Sequence, residues 1–512
     1  MATSPLQNQS VLILGLGASG LAMARWCVRQ GARVTVADTR QEPPQLAVLQ
    51  RQLPAVRFVC CALNAGLLGE TGAELVLKSP GLTPAQVAPV AAAAKTGSVA
   101  MGGELNLFAQ ALEELRRSHD YQPRILAVTG TNGKTTVTAL AGQLVERAGK
   151  SVAVAGNIGP TLLDTLATCL DNATLPEVWV IELSSFQLAD AVLPIGAPLP
   201  RLEATAACVL NLTQDHLDWH GDMAAYAQAK AQIFGRQTQL LLNRDDGQVL
   251  AMLPVPAKGR PARQYLTFGA AMPQRPGDFG LEPVNGMAWL VRAMELDPTY
   301  KPRKGRDAED LHIQRLIPAE ALRIRGRHNA VNALAALALA AAAGCTLAPL
   351  LFGLREYRGE PHRVQSIGVV HDVEYFDDSK GTNVGATVAA LGGLGPERKL
   401  VVILGGDGKG QDFSPLAVPV ARYARAVVLI GRDAGLIRGA LHGSGVELVD
   451  AADMADAVRQ ATAHARAGDA VLLSPACASL DMFDNYLHRA RVFCEAVAAL
   501  AQDAGVVLEG TA

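Results

Sequence analysis

The stretch RILAVTGTNGKTT, Arg124 to Thr136, restricts the fold of this chain more than any other. Ile125 to Val128 is a short apolar run of strand formers. Gly130, Asn132 and Gly133 make a tight turn, and Lys134-Thr135-Thr136 opens a helical pattern that runs through Leu144. A strand, a glycine turn and a helix start in that order leave backbone N–H groups unpaired and aim the positive end of a helix into the loop, which suits anionic oxygens. Lys134 is then expected to reach the β and γ phosphates of a nucleotide, with the Thr135 hydroxyl on Mg²⁺. The usual G-x-x-x-x-G-K-[ST] pattern has a glycine where this chain has Val128, so the loop is a P-loop variant; plain helix capping is the weaker alternative.

A length of 512 residues predicts three domains, and 49% apolar residues is ample for several cores. A formal charge of −2 gives no footprint of a nucleic-acid or acidic-membrane binder. The eight cysteines show no metal spacing, and only Cys60 and Cys61 are neighbours, so they read as small apolar residues rather than disulfides or ligands. The opening MATSPLQNQS has no basic, apolar signal character, and apolar runs such as Ala333 to Ala343 are too short to cross a bilayer. The expected compartment is the cytoplasm.

In the first expected domain, residues 1–118, Val11 to Leu14 reads as a strand followed by Gly15, Gly17 and Gly20. A helix Leu21 to Gln30 comes next, and then a strand Arg33 to Ala37 ending on Asp38. This is the G-x-G-x-x-G βαβ fingerprint with its ribose-binding acid, and it suits any pyrophosphate, including that of a UDP-linked sugar. Leu75 to Leu77 predicts a strand that runs into Ser79-Pro80-Gly81, a strand-end loop of the kind that holds ligands in open α/β sheets, or else a simple proline turn. Helical patterns at Ala85 to Lys95 and Glu104 to Arg116 close the domain, and Ser118 to Pro123 reads as a linker.

In the central expected domain, residues 119–359, Val152 to Ala155 leads into Gly156-Asn157-Ile158-Gly159, and Val178 to Ile181 ends on Glu182. A carboxylate at a strand end near a P-loop is placed to hold Mg²⁺, although a capping acid would look the same. Cys208 to Leu210 leads into NLTQDHLDWH, residues 211–220, whose acids and histidines could ligate a metal or position a substrate. Lys230 falls on a small, apolar helix, Tyr226 to Phe234; lysines normally project into water, and the residues alone favour that. Residues 254–318 are rich in proline, charge and glycine and read as irregular surface hairpins. RGRHN, ending at Asn329, precedes an alanine-rich helix Val331 to Ala343, and Asn329 and Asn332 read as polar groups at its start.

In the third expected domain, residues 360–512, Pro361-His362-Arg363 reads as a hinge. Strand ends lead into Asp377-Asp378-Ser379-Lys380-Gly381-Thr382-Asn383, Gly405-Gly406-Asp407-Gly408-Lys409-Gly410 and Ser474-Pro475-Ala476-Cys477-Ala478-Ser479. Strands alternate with helices, so the sheet is expected to be mostly parallel.

Taken in order, GLGASG with ADTR, KSPGL, VTGTNGKTT, GNIG, IELSSFQL, NLTQDHLDWH, GRHNAVNALAA, PHRV, DDSKGTN, GGDGKGQDF and LSPACASLDMFDNY resemble the Mur ligases of bacterial cell-wall synthesis across nearly the whole chain. The first and last of these stretches favour the branch that adds D-glutamate. The resemblance implies an α/β chain with a Rossmann-like UDP-binding domain, a central P-loop domain and a Rossmann-like C-terminal domain. It also implies an ATP-dependent amide bond between UDP-N-acetylmuramoyl-L-alanine and D-glutamate through an acyl phosphate. By motif, the implied ATP side is Gly130, Thr131, Asn132, Gly133, Lys134, Thr135, Thr136, Asn329, Asn332, Arg363, Asp378 and Lys380. Thr135 and Glu182 would hold a first Mg²⁺, and His216 a second. Lys230 matches the lysine that CO₂ carbamylates in this family, a change from cation to anion that requires a buried amine, against the solvent reading above. Ala18, Ser19, Asp38, Thr39, Arg40 and Gly81 would hold the UDP end and Asn157 the muramoyl part; Thr382, Lys409, Ser479, Leu480 and Tyr486 would gather D-glutamate. The implied state is a monomer working on small molecules, with no nucleic acid or membrane. Tyr486 stands where the family more often has phenylalanine, and Trp219 where it commonly has arginine. The insertions near 194–201 and within 254–318 have no implied role.

Three rivals carry distinct signals. An NAD(P)-dependent oxidoreductase would explain the first fingerprint but leave the P-loop variant idle. A P-loop ATPase driving a partner would hydrolyse ATP without an amino acid. A sister Mur ligase or a folyl-polyglutamate-type ligase would differ only in the acceptor.

Overall fold

The computed structural model describes residues 4–190, 199–254, 263–296 and 311–508. Short apolar runs buried on both faces make three main sheets, because a strand with no solvent face needs neighbours and helices on every side. The first contains β1 Ser10–Leu14, β2 Arg33–Asp38, β3 Arg57–Cys60, β4 Leu75–Lys78 and β5 Ala100–Gly102, in the order β3-β2-β1-β4-β5 and all parallel.

The central sheet contains β6 Arg124–Thr129, β7 Val152–Gly156, β8 Val178–Glu182, β9 Ala206–Val209, β10 Gln239–Asn243 and β11 Tyr265–Phe268. Its order is β11-β10-β9-β6-β8-β7, again parallel. A small antiparallel sheet follows, β12 Phe279–Val284, β13 Met287–Glu295 and β14 Leu311–Pro318. The last sheet is β15 Gln365–Val370, β16 Val373–Asp377, β17 Leu400–Gly405, β18 Ala424–Ile430, β19 Glu447–Asp450 and β20 Ala470–Leu473, in the order β15-β16-β20-β17-β18-β19. It is parallel apart from the antiparallel edge pair β15–β16.

The first and central sheets share one apolar core. Phe108, on the helix Glu104–His119, meets Trp179 of β8 edge-on at 5.0 Å. The opposite face of the central sheet packs on the helices Lys134–Arg147 and Arg327–Ala342, which the antiparallel sheet covers with Leu281, Leu290 and Ile317. The fingerprint turn works through close approach: a Cβ on Gly20 would lie 2.1 Å from the Gly15 carbonyl oxygen, so only glycine lets the helix Ala18–Arg29 sit on β1.

Several expectations change. The helix after the fingerprint begins at Ala18, not Leu21, so Ala18 and Ser19 form its first turn. The segment read as irregular hairpins holds regular structure: Tyr265–Phe268 extends the central sheet, and residues 279–318 supply the three-stranded antiparallel sheet. Proline and charge are tolerated there because that sheet keeps one face toward solvent. Residues 255–262 and 297–310 of that segment, and 194–198 of the other insertion, lie outside the described residues. The alanine-rich helix starts at Arg327, so Asn329 and Asn332 are buried inside it rather than capping it. The first linker shortens to Asp120–Pro123, and all eight cysteines are free thiols.

Candidate active site

The glycine turns after β1, β6, β7 and β17 lie at carboxyl ends of parallel strands, where an open sheet leaves a crevice. After β6, Gly133 has φ +82° and a Cβ there would meet Asn332 Oδ1 at 2.8 Å, so the turn needs glycine on both counts. Lys134 Nζ folds back on its own loop, donating to the Gly130 and Thr131 carbonyls at 2.9 and 2.8 Å. Thr135 Oγ1 accepts from Arg363 Nη2 at 2.8 Å, which brings the expected hinge residue onto the P-loop. Asn132 and Asn383 exchange amide hydrogen bonds of 3.2 and 3.0 Å, joining the central and last sheets directly over the turn.

Lys230 is 1% exposed, contrary to the solvent reading. Its Nζ donates to the Gly130 carbonyl at 2.8 Å and lies 4.7 Å from the centre of the Tyr226 ring. Burial, and then Lys134, hold this amine well below the usual lysine range, against the pull of Asp215 and Glu182. Burial also lowers Lys134. Two amines therefore converge on one carbonyl oxygen, and no carboxylate among the described residues forms an ion pair with Lys230.

Glu182, at the end of β8, is 2% exposed. Its Oε1 accepts from Asn157 Nδ2 at 2.7 Å, while Oε2 is buried with no hydrogen-bond partner among the described residues. A lone buried carboxylate oxygen fits a hard cation, the donor chemistry Mg²⁺ requires. His216 Nε2 stands 3.5 Å from Asp215 Oδ2, and burial lowers its basicity. Among the described residues no three His, Cys, Asp or Glu side chains converge as a ligand group. Mg²⁺ bound by one or two carboxylates plus phosphate and water needs no such group.

A cavity of about 360 Å³ adjoins the turn, lined by Asn132, Gly133, Thr136, Asn329, Asn332, Arg363 and Asp378 from the expected set. Its remaining wall was not expected: Asn243 at the end of β10, Phe268 at the end of β11, and His328, whose Nδ1 has no partner among the described residues and which burial lowers to about 4. Strand-end position was the only signal available for Asn243 and Phe268. Burial raises Asp378 to about 7, although Ser474 Oγ donates to it at 2.7 Å.

In the last sheet, Asp407 and Ala478 exchange backbone bonds of 2.9 and 2.8 Å, holding the Lys409 turn against the Ser479 turn. The buried Arg489 ties Ser379 to the Cys477 carbonyl. Lys380 Nζ lies 5.6 Å over the Tyr486 ring, Thr382 follows on the same turn, and Leu480 is 70% exposed beside Ser479. In the first sheet, Asp38 accepts from the Leu16 N–H at 2.7 Å and from the Arg40 guanidinium at 2.7 and 2.9 Å. Burial would raise its carboxyl, but the Arg40 and backbone bonds prevail and lower it to about 2. Thr39 and Gly81 are exposed at the same end of the sheet.

Central and last sheets that meet over a P-loop turn, beside a buried amine and a carboxylate oxygen with no partner among the described residues, together with a first parallel sheet bearing its own glycine turn, define a nucleotide-using, multidomain α/β enzyme. The chain belongs to the Mur ligase family: the descriptions Mur ligase MurD-like N-terminal domain, Mur ligase middle domain and Mur ligase glutamate ligase domain match residues 9–102, 128–340 and 362–477. It is 66% identical over 511 residues to the UDP-N-acetylmuramoylalanine–D-glutamate ligase of Albidiferax ferrireducens, covering 99% of both chains. The Ralstonia nicotianae protein of the same name is 56% identical, with 98% of this chain and 99% of that one covered. The fold is similar to UDP-N-acetylmuramate-alanine ligase MurC of Thermotoga maritima (TM-score 0.53, 20% identity, 96% and 100% covered). It is also similar to MurF of Acinetobacter baumannii (TM-score 0.56, 17% identity, 96% and 92% covered). No helix among the described residues is long and apolar enough to cross a membrane.

Proposed function

We propose that this chain joins the carboxylate of UDP-N-acetylmuramoyl-L-alanine to the amine of D-glutamate at the expense of ATP, for peptidoglycan precursor synthesis. The observation that carries the reading is a P-loop flanked by the buried Lys230 and by a buried Glu182 oxygen with no partner among the described residues, in a chain 66% identical to a relative of that name.

The substrate carboxylate attacks the γ phosphate, ADP leaves, and the amine of D-glutamate then displaces phosphate from the acyl carbon. Phosphoryl transfer needs charge neutralisation and in-line placement more than covalent help from the protein. The turn Gly130–Gly133 would supply N–H donors, and Lys134 would exchange its loop carbonyls for phosphate oxygens. Arg363, already on Thr135, would add a second cation, with Asn329, Asn332, Asp378, Lys380 and Thr136 around the nucleotide. When bound, Mg²⁺ at two sites supplies charge neutralisation of the phosphates. Thr135, Glu182, His216 and carbamylated Lys230 are the residues that would hold it.

The UDP end would lie on Ala18, Ser19, Asp38, Thr39, Arg40 and Gly81, and the muramoyl part on Asn157. D-glutamate would lie among Thr382, Lys409, Ser479, Leu480 and Tyr486, with Lys409 facing a carboxylate. We draw the domain boundaries after residues 118 and 359 and expect a cytoplasmic monomer acting on small molecules, with no nucleic-acid partner. The test of the carbamate is activity of Lys230→Ala with and without a short carboxylic acid: partial rescue supports it, and full activity of the unrescued variant contradicts it.

A further inference from the structure

Lys78 ends β4, immediately before the turn Ser79–Leu82 of the first sheet. Its Nζ hydrogen-bonds both carboxylate oxygens of Asp190 at 2.8 Å, with both side chains nearly buried (7% and 11% exposed). Asp190 ends the short helix that follows Glu182, so this ion pair crosses from the first sheet to the central one. The same Nζ stands 5.3 Å from the centre of the Trp219 ring. Trp219 reaches back in turn, its Nε1 donating to the Leu82 carbonyl at 3.2 Å. Its ring lies 4.9 Å from Phe186 and 4.4 Å from His220, and Phe186 meets the His216 ring edge-on at 4.8 Å. His216 and Trp219 share one tight turn, closed by the Trp219 N–H on the His216 carbonyl at 3.1 Å.

We propose that Trp219, braced by the Lys78–Asp190 pair, is a positioning residue that clasps the strand-end loop Ser79–Leu82 to the turn carrying His216, and thereby sets the affinity for the nucleotide-linked acid. The geometry gives the reason. The loop is held at both ends, by the Ser79 N–H on the Leu14 carbonyl at 2.9 Å and by Trp219 on Leu82. Between those anchors lies Gly81, an exposed residue with nothing within 4 Å of a Cβ built on it, leaving an open face for a ligand. A loop ordered before binding loses less freedom when the ligand arrives. Burial makes the ion pair costly to break, since separating the partners leaves an uncompensated buried charge.

This inference deepens the ligase reading and rests on it for the identity of the ligand. The test is calorimetric titration of the intact protein with UDP-N-acetylmuramoyl-L-alanine, without ATP, for the wild type and for Trp219→Phe. That variant keeps a ring in the aromatic cluster and loses the indole N–H. Its Kd is expected to rise by up to about tenfold, the most that loosening a loop held by one net hydrogen bond can cost, with the Kd for ATP unchanged. Lys78→Met, which removes the brace, should weaken the same ligand and spare ATP. An unchanged Kd in Trp219→Phe, or an equal loss of affinity for both ligands, overturns the clasp and leaves Trp219 as packing. A wild type that binds the UDP-linked acid but forms no amide contradicts the ligase reading while leaving the clasp decided by the titration. A wild type that does not bind it overturns both.

Discussion

The turn Gly15–Gly20 after β1 and the turn Gly130–Gly133 after β6 are built from the same parts. Each leaves an interior strand of a parallel sheet, uses glycine to bring the backbone close, and opens a helix whose first N–H groups face the crevice. They differ in what surrounds them. The first has an acid, Asp38, held by Leu16 and Arg40, with no lysine in the turn. The second has two amines meeting on the Gly130 carbonyl, an arginine on Thr135, and Glu182 with a free buried oxygen. A backbone cradle is enough to hold a diphosphate still. Moving a phosphoryl group requires cations and a metal-binding carboxylate placed where charge shifts. On the proposed reading, the first turn holds and the second does the chemistry.

The largest expected effect tests the second turn. Lys134→Ala should lower kcat by about a thousandfold, with an unchanged circular dichroism spectrum; near-normal turnover would remove the distinction between the turns. Next, Lys230→Ala should be inactive and regain part of its rate with added acetate or formate, read as phosphate release dependent on both substrates. Asp38→Asn tests the first turn and should be milder, raising KM for the UDP-linked acid about tenfold with kcat preserved. A fall in kcat instead would give the first turn a part in the chemistry. Because the Asp38 carboxyl is lowered to about 2, it stays ionised as pH falls through the ordinary carboxylate range. Its stabilising contribution is present above that range and is lost only as pH falls toward 2.

The smallest effect concerns Asp378. Burial raises it to about 7, so the folded state holds its proton more tightly than the unfolded chain does. Its contribution to stability is therefore fullest at or below the ordinary carboxylate range and declines as pH rises toward 7. Denaturant midpoints of Asp378→Asn should show a flatter slope across that window than the wild type. An identical slope would contradict the assignment.

How much of this was readable without coordinates depended on where each signal lies along the chain. The two glycine turns, Glu182 and the three loops of the last sheet were legible, because an apolar run followed by glycine and a polar residue marks a strand end locally. The edge strands β3 and β19, RFVC and ELVD, carry no such mark: an edge strand is partly solvated and lacks a continuous apolar run. The hairpin reading of 254–318 holds for β12–β13, but the regularity of the sheet β12–β14 is hidden for a related reason, its exposed face diluting the pattern. Tertiary placement is not legible in residue type or local pattern and enters only through the family resemblance, which implies a buried Lys230. The residue type of Lys230 argues for solvent, and only packing against Tyr226 and Gly130 buries it. Asn243, Phe268 and His328 form one cavity wall from three separate elements. The cross-sheet pair Asn132–Asn383 joins residues far apart in the chain.

The most direct measurement is the mass of the product formed by the purified protein from ATP, Mg²⁺, UDP-N-acetylmuramoyl-L-alanine and D-glutamate. The expected result is one new amide, UDP-N-acetylmuramoyl-L-alanyl-D-glutamate, with one ADP and one phosphate per bond and no product when any reagent is left out. ATP splitting that proceeds at full rate without D-glutamate and yields no amide would contradict the account.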